Sequence, residues 1–196
     1  SGYEWSPDGS RLLLAIRDEE AKDSTWTSER TRPWVVDRLQ IKRDRVGYLS
    51  DTRRTHLYTF DVTSRELRQL TDGRWDEAQA SWSPDGRWVV FSSNRTDDPD
   101  ANSDTNLWRV PADPGQPVTE PTRLTGYRGA DTRPLISPDG RWIAYVTGTH
   151  DPRYDAFGTR HLAVIPAEGG DRRILTAALD RNVTPVAWDR DGLGIV

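Results

Sequence analysis

The stretch Trp82-Ser83-Pro84-Asp85-Gly86-Arg87-Trp88-Val89-Val90-Phe91 decides how this chain folds. Pro pre-sets φ at the second position of a type I turn, Asp suits the third, and Gly accepts the positive φ that lets two antiparallel strands close. The run after the turn, Trp88 to Phe91, is apolar at successive positions. Successive strand residues point to opposite faces, so both faces of this strand need cover. Such a strand belongs inside a stack of sheets.

The turn recurs as Ser6-Pro7-Asp8-Gly9 and Ser137-Pro138-Asp139-Gly140, with a worn copy at Asp189-Arg190-Asp191-Gly192. An apolar residue precedes each copy: Trp5, Trp82, Ile136 and Trp188. Apolar runs follow the first three, at Leu12 to Ile16, Trp88 to Phe91 and Trp142 to Val146. Third strands are expected at His56 to Phe60, Asn106 to Val110 and His161 to Ile165, and short fourth strands closing on Leu70-Thr71, Leu124-Thr125 and Leu175-Thr176. Pro84 and Pro138 are 54 residues apart, as are Thr71 and Thr125, and Thr125 to Thr176 is 51. Four short strands per about 50 residues is the spacing of a propeller blade.

The expected fold is therefore all-β, a partial β-propeller of four-stranded antiparallel blades: three blades plus the start of a fourth. The blades span approximately residues 1–71, 72–125 and 126–176, with a partial blade at 177–196. Closed propellers hold about 4–8 blades, so the chain reads as part of a ring. The first repeat is longer, 77 residues from Pro7 to Pro84, and the excess is an insertion at 17–55. Within it, Arg17 to Arg32 reads as a charged excursion. Pro33 to Ile41 and Val46 to Leu49, with a charged turn between them, read as an additional hairpin.

Composition agrees. Only 34% of the 196 residues are hydrophobic and 30% are charged, yet nine Trp, six Tyr and three Phe supply large rings that fill gaps between sheets. A net charge of −4 argues against a nucleic-acid partner, which needs a concentrated basic face. No apolar run approaches membrane-spanning length, and Ser1 opens no signal-peptide pattern. The absence of Cys excludes disulfides and thiolate metal sites, and the absence of Met implies a processed chain or one cut from a longer parent. The expected compartment is the cytoplasm, with the periplasm as the alternative.

The order Pro33-Trp34-Val35-Val36-Asp37-Arg38-Leu39, His56-Leu57-Tyr58, Leu70-Thr71-Asp72-Gly73, Trp82-Ser83-Pro84-Asp85-Gly86 and Phe91-Ser92-Ser93-Asn94-Arg95 resembles the N-terminal propeller of the prolyl oligopeptidase family of serine peptidases. Its acylaminoacyl-peptidase-like and dipeptidyl-aminopeptidase-like branch is the nearest, and TolB-like propellers share the Trp-Ser-Pro-Asp-Gly element. The resemblance implies a propeller that caps an α/β-hydrolase domain and admits short peptides to a Ser-His-Asp site. No G-x-S-x-G nucleophile elbow exists in the 196 residues, so no catalytic residue is carried over. Nor is the glutamate motif recognisable with which dipeptidyl peptidases grip a substrate amino terminus.

Polar residues precede the inner strands at similar distances: Asp76-Glu77, Asp131-Thr132-Arg133 and Arg181-Asn182. Asp76, Glu77, Asp131, Arg133 and Asn182 are the candidates for a channel mouth touching substrate, against a structural role bridging blades. Asp98, Asp100 and Asn102 have alternate calcium-loop spacing, but Ser103 replaces the sixth-position Gly and Arg109 the twelfth-position Glu, so turn capping is the competing reading. No cofactor is expected. His56 and His161 share one repeat position, which favours hydrogen bonding at a strand start over catalysis, and His150 sits in a turn.

The functional expectation is a non-catalytic propeller segment that caps and gates the active site of a serine peptidase cleaving short peptides or acyl-peptides. Its partners would be the α/β-hydrolase domain of the parent chain and peptide substrate. The alternative is a TolB-like propeller serving as a protein-interaction module in the bacterial envelope. An isolated segment is expected to self-associate, because unpaired blade faces and edges are sticky.

Overall fold

The computed structural model describes residues 2–19, 39, 42–43, 47–48, 53–115, 117, 119–127, 129–148, 158–185 and 187–196. Among them lie three four-stranded antiparallel sheets. The first runs β1 (Tyr3–Trp5), β2 (Arg11–Arg17), β5 (Thr55–Asp61), β6 (Leu67–Gln69). The second runs β7 (Ala78–Trp82), β8 (Trp88–Ser93), β9 (Asn106–Pro111), β10 (Thr122–Arg123). The third runs β11 (Asp131–Ile136), β12 (Trp142–Gly148), β13 (Arg160–Pro166), β14 (Arg173–Ile174). Each sheet is a meander in chain order, as in a propeller blade.

The Ser-Pro-Asp-Gly turns form as their chemistry dictates. The N–H of Gly9, Gly86 and Gly140 donates to the carbonyl of Ser6, Ser83 and Ser137, each at 2.9 Å. In every copy the Ser hydroxyl donates to the Asp carboxylate at 2.6 Å. It also accepts the first N–H of the following strand, from Arg11, Trp88 or Trp142. Gly86 needs its lack of a side chain twice: its φ is +67°, and a Cβ there would lie 3.4 Å from the Arg11 guanidinium. Successive turns therefore stack. In the partial blade, Trp188 bridges Ile195 and Gly192 N–H reaches Asp189 at 3.2 Å, so a further hairpin begins there.

The core lies between the blades. Leu13, Leu57 and Leu70 of the first blade meet Trp82, Val89, Phe91 and Val110 of the second. On the other face, Val90, Leu107 and Leu124 meet Ile143, Tyr145, Ala163 and Ile165 of the third. Val89 and Phe91 thus face one neighbour while Val90 faces the other. Trp82 is 4% exposed under the first blade, whereas Trp5, at the equivalent place, is 50% exposed.

The base of the insertion is closed, because Asp18 N–H donates to Arg54 C=O at 2.7 Å. A hairpin does occur in it, but its arms are β3 (Lys42–Arg43) and β4 (Gly47–Tyr48), with Lys42 opposite Tyr48. The arm expected at Pro33 to Ile41 lies, apart from Leu39, outside the described residues. So does His150.

Phe91→Ala should cost about 3–5 kcal/mol of unfolding free energy, since this ring is fully buried between two blades. Val62→Ala, at a half-exposed turn, should change stability by less than about 0.5 kcal/mol. Denaturant titration of both variants checks this, and equal costs would contradict the sandwich.

Candidate functional site

Each blade enters its successor at one place. The N–H of Glu77, Asp131 and Val183 donates to the carbonyl of Thr55, Thr105 and Arg160 respectively, at 2.9, 2.7 and 2.9 Å. One residue earlier, Asp76 Oδ1 accepts Thr55 N–H and Asn182 Oδ1 accepts Arg160 N–H, both at 2.9 Å. Asp76 also meets Arg54 at 3.0 Å. The Leu-Thr ends of the fourth strands support the same junction. The hydroxyls of Thr71, Thr125 and Thr176 accept the N–H of Leu57, Leu107 and Leu162.

Glu77 is buried and fully occupied. His56 Nδ1 and the Thr71 hydroxyl each reach Oε2 at 2.9 Å, and Arg95 reaches Oε1 at 2.6 Å. Burial pushes the Glu77 carboxyl above its usual range, and hydrogen bonds from His56, Thr71 and Arg95 oppose the rise. The Arg95 guanidinium lies 5.0 Å from the Trp75 ring centre, 5.6 Å from Phe91 and 5.2 Å from Trp108. Aromatic faces and one carboxylate hold this buried cation.

Asp131 has the same position in the next blade and a leaner shell. Thr147 hydroxyl donates to Oδ1 at 2.7 Å, and Arg172, stacked 4.1 Å from the Tyr127 ring, donates to that hydroxyl at 3.1 Å. Burial pushes the Asp131 carboxyl up to about 6, against lowering by Thr147. The buried Tyr145 hydroxyl is pushed upward too, first by burial and then by the Asp131 charge.

The inner strands β1, β7 and β11 border a cleft of about 460 Å³. Glu4, Gln79, Ser81, Arg133, Leu135 and Pro185 are among its lining residues. Of the five channel-mouth candidates, Arg133 alone lines this cleft. Glu77 and Asp131 are buried at blade junctions, while Asp76 and Asn182 cap junction N–H groups. Glu4 and Gln79 were missed. The 54-residue period carries the signal for Gln79, since it places this residue exactly one repeat before Arg133.

The acidic loop gathers no metal shell among the described residues. Asn102 Oδ1 accepts from Asn94 and from Asp104 N–H, at 3.0 and 2.8 Å, and its amide donates to Asp98 C=O at 2.7 Å. Asp100 accepts the Leu39 N–H. The Asn102 contacts cap turns, and the Asp100 contact ties the loop to the insertion. His161 Nδ1 lies 3.0 Å from Thr176 C=O within its own blade, whereas His56 reaches Glu77 of the next.

The chain belongs to the family of the dipeptidyl peptidase IV N-terminal region, whose model matches residues 13–144. It is the β-propeller region of a peptidase family. An uncharacterized peptidase, YuxL, of Bacillus subtilis is 33% identical over 108 residues, which cover 53% of this chain and 16% of the relative. The structure of a puromycin-hydrolyzing peptidase of Mycobacterium tuberculosis matches with a TM-score of 0.62 at 16% identity, over 97% of this chain and 26% of that one. A putative TolB of Agrobacterium tumefaciens matches at 0.55 and 23% identity, over 88% and 47%. At these identities the structural matches show fold alone. The chain spans about a sixth of YuxL's length.

The Asp131 shift sets a pH dependence. A raised folded-state value means that folding favours the protonated carboxyl. Its contribution is complete below the unfolded value of 3.8 and is lost as pH rises through about 6. Stability relative to Asp131→Asn should therefore fall by about 2 kcal/mol from pH 4 to pH 7, at about 1.36 kcal/mol per pK unit. Urea titrations across that range check this, and a pH-independent difference would contradict it.

Proposed function

We propose that this chain is a non-catalytic propeller segment that caps and gates the α/β-hydrolase domain of its parent chain, a serine peptidase acting on short peptides or acyl-peptides. The observation that carries the reading is the alignment of β1, β7 and β11 along one cleft of mixed polar and apolar lining, in a chain of the dipeptidyl peptidase IV N-terminal region family. Blade junctions consume most of the polar residues near the inner strands and leave those of the cleft to face a passing chain. The hydrolase domain supplies the nucleophile, and the propeller selects what reaches it by width and by contacts along the channel.

The 196 residues hold no Cys, so a Cys placed here is selectively labelled once any Cys in the rest of the parent is replaced by Ser. In the full-length parent, Ala80→Cys at the cleft, labelled with a bulky maleimide, should slow hydrolysis of a hexapeptide by about fivefold or more, roughly 1 kcal/mol in barrier. A dipeptide chromogenic substrate should slow less than about twofold. Equal slowing of both, or none, would count against gating through this channel.

A further inference from the structure

Gln79 and Arg133 hold equivalent places on β7 and β11, and both are in the left-handed region, with φ of 51° and 55°. Each sits at a register shift, between Ala78 and Ser81 or between Thr132 and Leu135. Neither is Gly, so two successive blades retain a backbone strain that Gly would relieve. Strain kept at a bulge that lines a cleft points to a function for the side chains it aims.

Those side chains are free to act. Gln79 Oε1 accepts the Arg133 N–H at 3.0 Å and the Ser92 hydroxyl at 3.5 Å, which leaves its Nε2 as a donor. The Arg133 side chain is exposed and, among the described residues, engages no partner. Across the cleft, Glu4 Oε1 accepts the Ser81 hydroxyl and the Trp82 N–H, both at 3.3 Å. Its second oxygen faces no described donor.

We propose that this cleft is a subsite for the carboxylate of a short peptide. The Arg133 guanidinium takes the planar carboxylate in a two-pronged bond, Gln79 Nε2 adds a third donor, and Glu4 accepts a peptide N–H. The neighbouring Glu4 carboxylate repels a dianion such as phosphate more than a monoanion, and its second oxygen suits a ligand that also carries N–H groups. The inference rests on the reading of the channel as a peptide path, and its test needs no hydrolysis.

Isothermal titration of the chain with N-acetyl-trialanine and with its C-terminal amide separates the possibilities. The free acid should bind about tenfold or more tightly than the amide, as a charge-assisted pair requires. Arg133→Gly should erase this preference while raising the melting temperature, because it removes charge and strain together. Arg133→Gln, which keeps the side-chain bulk, should erase the preference without that gain. Acid and amide affinities within about twofold, no binding of either, or a preference that survives both substitutions would overturn the proposal. Such a failure leaves the gating proposal standing, since that falls only with the parent's size-dependent hydrolysis.

Discussion

Every blade here must cover both faces of its second and third strands. The apolar runs on β8 and β12 have no polar side, and the first blade buries Leu13 and Leu57 on its face toward the second. A lone sheet of this kind would expose two oily surfaces, so stability comes from stacking sheet on sheet. Val90 between the second and third blades and Phe91 between the first and second are adjacent in sequence, yet they belong to different cores. Neighbouring blades are therefore coupled through each other's middle strands, and the orientation of the inner strands follows from that coupling.

Apolar contact leaves blades free to slide, and the polar junction fixes register. A backbone N–H at the entry to the next blade lands on a carbonyl at the start of the previous blade's third strand, three times among the described residues. At the first junction a buried carboxylate gathers His56, Thr71 and Arg95, which offset part of its desolvation. The second junction uses one hydroxyl and a more distant guanidinium, and burial pushes its carboxyl up to about 6. The same position thus carries a carboxylate with three side-chain partners in one blade and with one in the next.

The blades were legible because turn chemistry is local. Ser-Pro-Asp-Gly names its own hairpin, the interval between copies counts the sheets, and two-faced apolar runs say that the sheets stack. The junction was legible only as a polar cluster. Glu77 and Asp131 look like solvated loop acids in sequence, and their burial depends on Arg95 and Thr147, which later strands deliver. The bulges at Gln79 and Arg133 carry no Gly or Asn to announce a positive φ. Glu4 joins them only because β1 stands beside β7.

Hydrogen exchange at the junction amides tests the central claim, that blade-to-blade bonds belong to the same cooperative unit as the sheets. The account predicts that the N–H groups of Glu77 and Asp131 exchange with the same opening free energy as those of Val89 and Val90 within the ladder. Exchange at Glu77 and Asp131 as fast as at the exposed turn residues Ser64 and Glu66 would contradict it.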